Sequence, residues 1–313
     1  MNIFVAVILG VIFPPNALAA MSMLNQNSIK ESISECMIKG VEYYAPTQKT
    51  IFVSVSVSKD DYKDKATVVS KTVLLSGISR RRLWKVLVVN PRKTKLSNSE
   101  DLSKSLLRMF IVYFHDRGEI EDILNRLEKE SVLNPHAKFL VASPMIFENN
   151  SAIAEEVFVA LAKRNVLNAV LLLADHLNIA RFEIYSWFPF EEGDCNQDKI
   201  DNLNLIDNCT YGHFERNASW YTNKVPARFK KCTMLVVYAR VPPYVLNMDM
   251  VTSLEDSNDN HGVEISLIRN LAKMLNISLV FQESPILGTV YRNGTATGNP
   301  NDMGHLYLPP RYH

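Results

Sequence analysis

The pattern of apolar and polar positions is clearest between residues 233 and 281, where it predicts three consecutive elements. Thr233 to Arg240 is a short apolar run with β-branched residues, stopped by two prolines, which is typical of a buried strand. After a polar loop, apolar residues recur at three- and four-residue steps from Gly262 to Leu275 and predict an amphipathic helix. A second strand, Ile277 to Phe281, follows at once. Strand, helix and strand in this order predict a βαβ unit with parallel strands.

The same two periodicities predict alternating strands and helices earlier in the chain. The predicted strands cover residues 51–57, 83–89, 137–142 and 168–174. The predicted helices cover residues 28–43, 98–114, 119–129 and 152–164. Alternation of this kind is typical of an α/β fold. We therefore predict an amino-terminal α/β domain over residues 20–180.

The pattern changes between residues 181 and 231. A strand is predicted over residues 181–187, and the following forty or so residues are rich in Gly, Asp and Asn. We interpret residues 181–231 as a cysteine-containing connection, tied by disulfides, between the first domain and a second lobe. Its aromatic residues are interpreted as packing anchors rather than a platform for stacking bases: Trp187, Phe188, Phe190 and Trp220.

The first residues have the shape of a secretory signal peptide. Residues 3–13 are apolar apart from Gly10, and two prolines and a series of small residues follow. This pattern predicts a signal peptide over residues 1–19 that is cleaved after Ala19. The alternative is an uncleaved anchor, because no basic residue precedes the apolar run. Eleven residues are too few to cross a bilayer, however, so we favour secretion.

Five acceptor sequons for N-glycosylation fit a secreted chain. They lie at Asn149, Asn208, Asn217, Asn276 and Asn293.

The four cysteines lack the C-x-x-C pairs of a zinc site, so we expect disulfides. Cys195, Cys209 and Cys232 cluster in the loop-rich region and are the disulfide candidates, while Cys36 lies on a predicted helix. A bond between Cys195 and Cys209 is one possibility. Cys232 would then pair with Cys36 or with a cysteine that this chain lacks. The sequence leaves this pairing open.

Composition and charge narrow the possible functions. The 313 residues leave room for one large or two ordinary domains, and 47% of them are hydrophobic. The formal net charge of +1 argues against a nucleic-acid partner. No catalytic motif of a hydrolase, zinc protease, P-loop or dinucleotide enzyme is present. We therefore predict no catalytic residues, no metal, no cofactor and no enzymatic activity.

The ordered series of motifs after residue 182 resembles a known family. Pro-Pro-Tyr-Val at 242–245, followed by a polar loop and G-x-E-I-x-L-I-x-x-L-A-x-x-L-N at 262–276, resembles the opening of the ligand-binding domain of ionotropic glutamate receptors. The surrounding segments resemble the divergent branch of that family, the insect chemosensory ionotropic receptors. These segments are residues 184–190, Cys195, 206–209, 212–214, 224–226 and 288–298.

This resemblance implies a function in chemosensation. It implies that residues 232–298 begin a periplasmic-binding-protein-like lobe, and that the ring of Tyr244 packs over a small-molecule ligand such as an odorant, acid or amine. The chain would then be the extracellular part of a ligand-gated cation channel that assembles with receptor co-subunits at the plasma membrane. The alternative is a secreted, soluble small-molecule-binding protein of the periplasmic-binding type.

The resemblance ends near residue 298, and residues 299–313 are expected to be a non-homologous tail. In the family the pore, the second half of the clamshell and the arginine that binds the ligand carboxylate lie further on. We therefore expect that the chain as it stands cannot conduct ions and is secreted or unstable. A truncated gene model, a splice form or a pseudogene-like product would each account for this.

Overall fold

A mixed α/β architecture, as expected from the sequence, is present in the computed structural model of the chain. The structure describes residues 15–55, 65–89, 107–130, 132–178, 180–190, 200, 203–230, 232–246, 262–283, 289–290 and 296–297. The chain divides into two compact units. The first contains the chain up to Ser186 together with Leu205–Tyr221, and the second contains the remainder.

The larger sheet has eight strands among the described residues. They are β1 (Thr50–Val55), β2 (Lys85–Val89), β3 (Leu107–Tyr113), β4 (Lys138–Ile146), β5 (Ala169–Ala174), β6 (Arg181–Trp187), β7 (Leu203–Thr210) and β8 (His213–Phe214). Four helices accompany them: α1 (Pro15–Tyr44), α2 (Lys65–Arg80), α3 (Arg117–Lys129) and α4 (Asn150–Ala162).

The strand order of this sheet is β2-β1-β3-β4-β5-β6-β7-β8. The pairs from β2 through β5 are parallel, whereas β5–β6 and β7–β8 are antiparallel. The chain order reverses between β1 and β3, which is the arrangement of a doubly wound sheet. Helix α1 packs on α2, and α3 packs on α4.

The first unit has its core on both faces of the parallel strands. On one face, Ile51 and Ile111 are buried against Ile33 and Met37 of α1. On the other face, the rings of Phe52, Phe110 and Phe139 form a row with centroid separations of 5.1 and 4.7 Å. Strands buried on both faces consist of nearly continuous apolar residues, as these strands do.

Helix α3 has a capping box at its first turn. The Asp116 side chain accepts a hydrogen bond from the Gly118 N–H, and the Glu119 carboxylate accepts one from the Asp116 N–H. These contacts satisfy backbone donors that the helix itself leaves without partners. They explain why the helix begins at Arg117, close to the predicted start at 119.

One predicted helix is wrong in its second half. Residues 98–114 were predicted to be helical, but Leu107–Tyr113 is strand β3 at the centre of the sheet. Every residue of β3 except Arg108 is buried. A short apolar run that is buried all round gives no period that separates a strand from a helix. The first half of the prediction lies outside the described residues.

Two further differences concern α2 and β4. Helix α2 (Lys65–Arg80) was not predicted at all. Strand β4 was predicted to stop at Ser143-Pro144, but it continues to Ile146, with a shift in its pairing with β5 between Ser143 and Ile146. The irregularity accommodates the proline, which cannot donate to a sheet ladder.

The predicted connection over residues 181–231 differs from the structure. Three of its segments are strands β6, β7 and β8 of the large sheet, so this part of the chain is not linker-like. Trp187 and Trp220 are buried, in agreement with their interpretation as packing anchors. The first unit extends past the predicted boundary at 180, to Ser186, and includes Leu205–Tyr221. Strand β6 matches the strand predicted over residues 181–187, whereas β7 and β8 were not predicted, because their polar residues leave little apolar periodicity.

The disulfide between Cys36 and Cys209 joins α1 to β7 within the first unit. Cys209 was predicted to form a disulfide, and it does. The bond to Cys195 that the sequence offered as one possibility is wrong, because Cys209 pairs with Cys36. The two cysteines are 173 residues apart in sequence, and both are completely buried. Closing so long a loop restricts the unfolded chain strongly, and the bond is expected to stabilise the fold by about 2–5 kcal/mol.

The second unit contains the predicted βαβ motif. Its elements are β9 (Cys232–Tyr238), α5 (Val263–Leu275) and β10 (Ile277–Glu283), followed by the short antiparallel pair β11 (Thr289–Val290) and β12 (Ala296–Thr297). Strands β9 and β10 are parallel, and Val236 lies opposite Phe281. The prediction of a strand, a helix and a parallel strand is therefore confirmed.

Within the part of the chain that the structure describes, no helix has the length and apolar character needed to cross a membrane. Helix α1 begins at Pro15, so residues 15–19 of the predicted signal peptide are helical. Cleavage after Ala19 stays a prediction.

We predict that Gly40→Ala destabilises the first unit by about 1–3 kcal/mol, as expected for overpacking. A Cβ atom at position 40 would lie 2.7 Å from Cη2 of Trp220, whose ring stacks on Tyr44 at 5.2 Å. Urea denaturation measures the change. Gly118→Ala is the matched control, since no atom lies within 4 Å of its Cβ position; its stability should be unchanged or slightly raised. Equal stability of Gly40→Ala and the wild type would contradict this packing.

Candidate functional site

The carboxyl edge of β9 and β10 forms the candidate site in the second unit. Ligands of α/β proteins bind beyond the carboxyl ends of parallel strands, because the connecting loops and helix N-termini lie there. The turn that follows β9 carries Tyr244, the residue expected from the sequence to contact a ligand. Helix α5 begins at the same edge, so the structure brings the turn and the start of the helix together.

The turn that carries Tyr244 is closed by a short antiparallel bridge between Val241 and Val245. The Val241 N–H donates to the Val245 carbonyl at 3.1 Å, and the Tyr244 N–H donates to the Val241 carbonyl at 2.9 Å. The peptide bond between Pro242 and Pro243 is cis. Tyr244 is 54% exposed, so its ring is not buried in the core.

The start of α5 holds the backbone of Tyr244. The Glu264 N–H donates to the Tyr244 carbonyl at 3.1 Å, which satisfies one donor of the first helical turn. Gly262, the N-cap residue, has φ of 94° and no side chain to cap the helix. A Cβ atom there would lie 2.6 Å from the Tyr244 carbonyl carbon and 3.0 Å from the Pro243 oxygen. Only glycine combines this φ with so close an approach.

A small apolar core lies beneath the turn. Val245 and Ile265 are buried against each other, and Tyr238 and Phe281 pack on them. The rings of Tyr238 and Phe281 meet edge to face with centroids 6.4 Å apart. The guanidinium of Arg269 lies 5.8 Å from the Phe281 centroid, a cation–π arrangement. Core packing and backbone hydrogen bonds thus fix the base of the turn while the Tyr244 ring faces outward.

An ion pair lies at the ends of the two parallel strands. Arg240, just before the turn, donates from Nη2 to the Glu283 carboxylate at 2.8 Å, and its Nε lies 2.6 Å from the other oxygen. Glu283 is the last residue of β10 and pairs in register with Tyr238. The two-point contact is the strongest form of a guanidinium–carboxylate pair.

At the opposite end of α5, Asn276 ends the helix in the left-handed conformation with φ of 58°. Its Nδ2 donates to the Phe229 carbonyl at 2.6 Å, and the Phe229 N–H donates to the Leu275 carbonyl at 2.8 Å. The rings of Phe190 and Phe229 meet edge to face at 5.4 Å. The segment before β9 is therefore anchored to the end of the helix.

Lys224 is a buried cation in the second unit that sequence reasoning did not single out. Only 6% of its surface is exposed, and its Nζ lies 5.3 Å from the centroid of the Phe188 ring. Burial lowers the pKa of the Lys224 amine to about 7. Loss of hydration disfavours the charged form of a buried lysine.

The remaining candidate residues have separate outcomes. Cys232 is disulfide-bonded, in agreement with its place among the candidates, and Cys195 lies outside the described residues. Among the sequons, Asn149, Asn217 and Asn276 are exposed, whereas Asn208 is buried and Asn293 lies outside the described residues. Over the described ranges, no group of three or more His, Cys, Asp or Glu side chains is arranged to hold a metal ion.

A polar network in the first unit was also missed by the sequence reasoning. Arg181 donates to both oxygens of Glu215 at 2.8 and 2.9 Å and to Asp175 at 3.3 Å. The hydrogen bond from Arg181 lowers the pKa of Glu215. Nearby, burial raises the pKa of Tyr185, whose hydroxyl donates to Glu183. Arg181 and Glu215 are 34 residues apart in sequence, so no local spacing could have revealed their pairing.

The comparisons with known proteins add little. No protein-family model and no curated protein matches the chain. Among solved structures, the chain is matched, with a TM-score of 0.25 and 11% identity, to one described as "The structure of MppP soaked with the product 2-ketoarginine". The match covers 50% of this chain and 43% of that one. A similarity of this size defines neither a shared fold nor a shared function.

We predict that Gly262→Ala loosens the contact between the Tyr244 turn and α5. The left-handed φ and the close approach to the Tyr244 carbonyl together cost about 1–3 kcal/mol for a residue with a Cβ atom. Hydrogen exchange at the Glu264 amide reports this contact directly and should become faster. Asn270→Ala, at an exposed position on the same helix, is the control and should leave the rate unchanged. Unaltered exchange in Gly262→Ala would refute the proposed constraint.

We also predict unequal glycan occupancy when the chain is secreted from eukaryotic cells. Asn149 and Asn217 are exposed and should be occupied. Asn208 is only 2% exposed and its Nδ2 donates to Glu215 at 3.0 Å, so it should be empty in folded protein. Enzymatic deglycosylation in ¹⁸O-water followed by peptide mass spectrometry measures each site. A glycan on Asn208 in correctly folded protein is the result that would count against this assignment.

Proposed function

We propose that the chain is the extracellular, small-molecule-binding part of a chemosensory ligand-gated cation channel of the ionotropic receptor class. In this proposal the second unit is the beginning of a periplasmic-binding-type lobe, and Tyr244 covers the ligand. The motifs at 242–245 and 262–276 carry the resemblance to that receptor class. The proposal joins this resemblance to the geometry of the βαβ motif.

The single observation that supports it most is the state of Tyr244. Its backbone is fixed by hydrogen bonds to Val241 and Glu264, while the residue is 54% exposed. An aromatic side chain that contributed only to the core would be buried, because burial of its ring is its main source of stability. An exposed tyrosine on a fixed turn at the carboxyl edge of two parallel strands supports a ligand-covering role.

Several sequence features support a secretory route for this function. The apolar amino terminus predicts a signal peptide, and two exposed sequons, Asn149 and Asn217, are available to the glycosylation machinery. The Cys36–Cys209 disulfide is of the kind that persists in oxidising compartments. We therefore propose the extracellular side of the plasma membrane as the working location, with receptor co-subunits as partners.

The proposal allows an acid or an amine as the ligand, and two probes that differ in this group distinguish the two classes. We would titrate the secreted full chain with hexanoate and with hexylamine, which differ only in the charged end, and follow binding by ligand-observed NMR. We expect binding of one probe, and we expect Tyr244→Ala to weaken it by about tenfold, corresponding to the loss of one aromatic contact of about 1.4 kcal/mol.

Tyr43→Ala is the control for this experiment. Tyr43 is also an exposed tyrosine, but it belongs to α1 in the first unit, and its removal should leave binding unchanged. Equal affinities of the wild type and Tyr244→Ala would contradict the proposed role of the ring. Binding of neither probe would count against the small-molecule function for these two ligand classes.

A further inference from the structure

Besides its apolar contacts, the turn that carries Tyr244 is attached by three polar contacts among the described residues of the second unit. The bridge between Val241 and Val245 closes the turn on itself. The hydrogen bond from Glu264 N–H attaches it to α5. The third attachment is the ion pair of Arg240 with Glu283, which ties the residue before the turn to the end of β10.

The ion pair differs from the other two attachments in being formed by side chains. Two nitrogen–oxygen contacts join the guanidinium to the carboxylate: Nε to Oε1 at 2.6 Å and Nη2 to Oε2 at 2.8 Å. The pair forms although about two-fifths of each side chain is exposed. A planar guanidinium fits a carboxylate in this fork-like geometry, and lysine does not reproduce it. The pair therefore fixes the direction of the chain as it leaves β9. A single hydrogen bond would allow the Arg240 side chain to rotate about that one contact.

Strand β10 also contacts the turn from beneath, where Phe281 packs on Val245 and Ile265. The ion pair is the contact at the end of β10, beside the residue that enters the turn. Loss of the ion pair would leave the turn anchored to the helix, to itself and to the apolar core beneath it, but without this contact at the edge of the sheet. The position of the Tyr244 ring relative to the edge of the sheet would then be less well defined.

We propose that Arg240 and Glu283 are positioning residues for Tyr244, whose ion pair sets the geometry of the ring without contacting the ligand. This inference rests on the proposed function, in which Tyr244 covers the ligand. It assigns a role in the site to two residues for which the resemblance to the receptor family gave none. Both lie outside the motifs at 242–245 and 262–276.

Hydrogen exchange in the full chain tests this role without any ligand. The variants are Arg240→Gln, Glu283→Gln and the double variant, all of which remove charge while keeping side-chain length similar. We expect each single variant to speed exchange at the Glu264 amide by about two- to fivefold, the range for a partly exposed ion pair. The double variant should exchange no faster than either single variant, because the two residues act as one unit.

Two internal comparisons separate positioning from a general loss of stability. Amides in the β9–β10 ladder should keep their exchange rates, since a weakened turn does not open the strands. Arg181→Gln removes a similar two-point pair, with Glu215, in the first unit and should leave the Glu264 amide unchanged.

The inference is overturned if the Glu264 amide is unaffected, if the effects of the two substitutions add, or if the ladder amides accelerate equally. Failure of hexanoate and hexylamine to bind would leave these exchange results intact and would count only against the proposed function. Where a probe binds, Arg240→Gln should lower the affinity for that probe when Tyr244 is present. The same substitution should have no effect on affinity when it is added to Tyr244→Ala. Equal weakening in both backgrounds would show direct contact with the ligand and would also overturn the inference.

Discussion

The hydrogen bond from the Glu264 N–H to the Tyr244 carbonyl is the contact on which the candidate site depends. It joins the first turn of α5 to the turn after β9, and it forms only because Gly262 leaves space for the carbonyl. A helix that starts with an uncapped glycine has backbone donors to satisfy, and the turn supplies an acceptor. The same contact therefore begins the helix and fixes the residue that we assign to the ligand.

The first unit is organised by a different constraint. Its parallel strands are buried on both faces, which requires helices on either side and a reversal of strand order between β1 and β3. The antiparallel strands β6 to β8 extend this sheet, and the Cys36–Cys209 disulfide ties β7 to α1. Packing of Trp220 against Gly40 and Tyr44 supports the same attachment. The edge of the sheet is thus held by covalent and aromatic contacts rather than by a long apolar strand.

The accuracy of the sequence predictions followed the strength of the local pattern. The βαβ motif was predicted nearly to the residue, because β9, α5 and β10 alternate clear strand and helix periods. Strand β3 was mistaken for a helix, since seven residues that are buried on both sides show neither period. At the candidate site, Tyr244 followed from the motif, but the Arg240–Glu283 pair did not. Its two residues are 43 positions apart and meet only through the register of β9 and β10.

The sequence by itself determined the α/β class, the parallel βαβ motif, the position of Tyr244 after its first strand and the presence of disulfides. Each of these depends on side-chain order over a few neighbouring residues, which local periodicity and turn chemistry express directly. Only the tertiary structure decided that Cys209 pairs with Cys36, that Asn208 is buried, and that β6, β7 and β8 join the large sheet. Those outcomes depend on which distant segments pack together. The free energy of that packing comes from contacts between residues far apart in sequence, so no single stretch of the chain determines it.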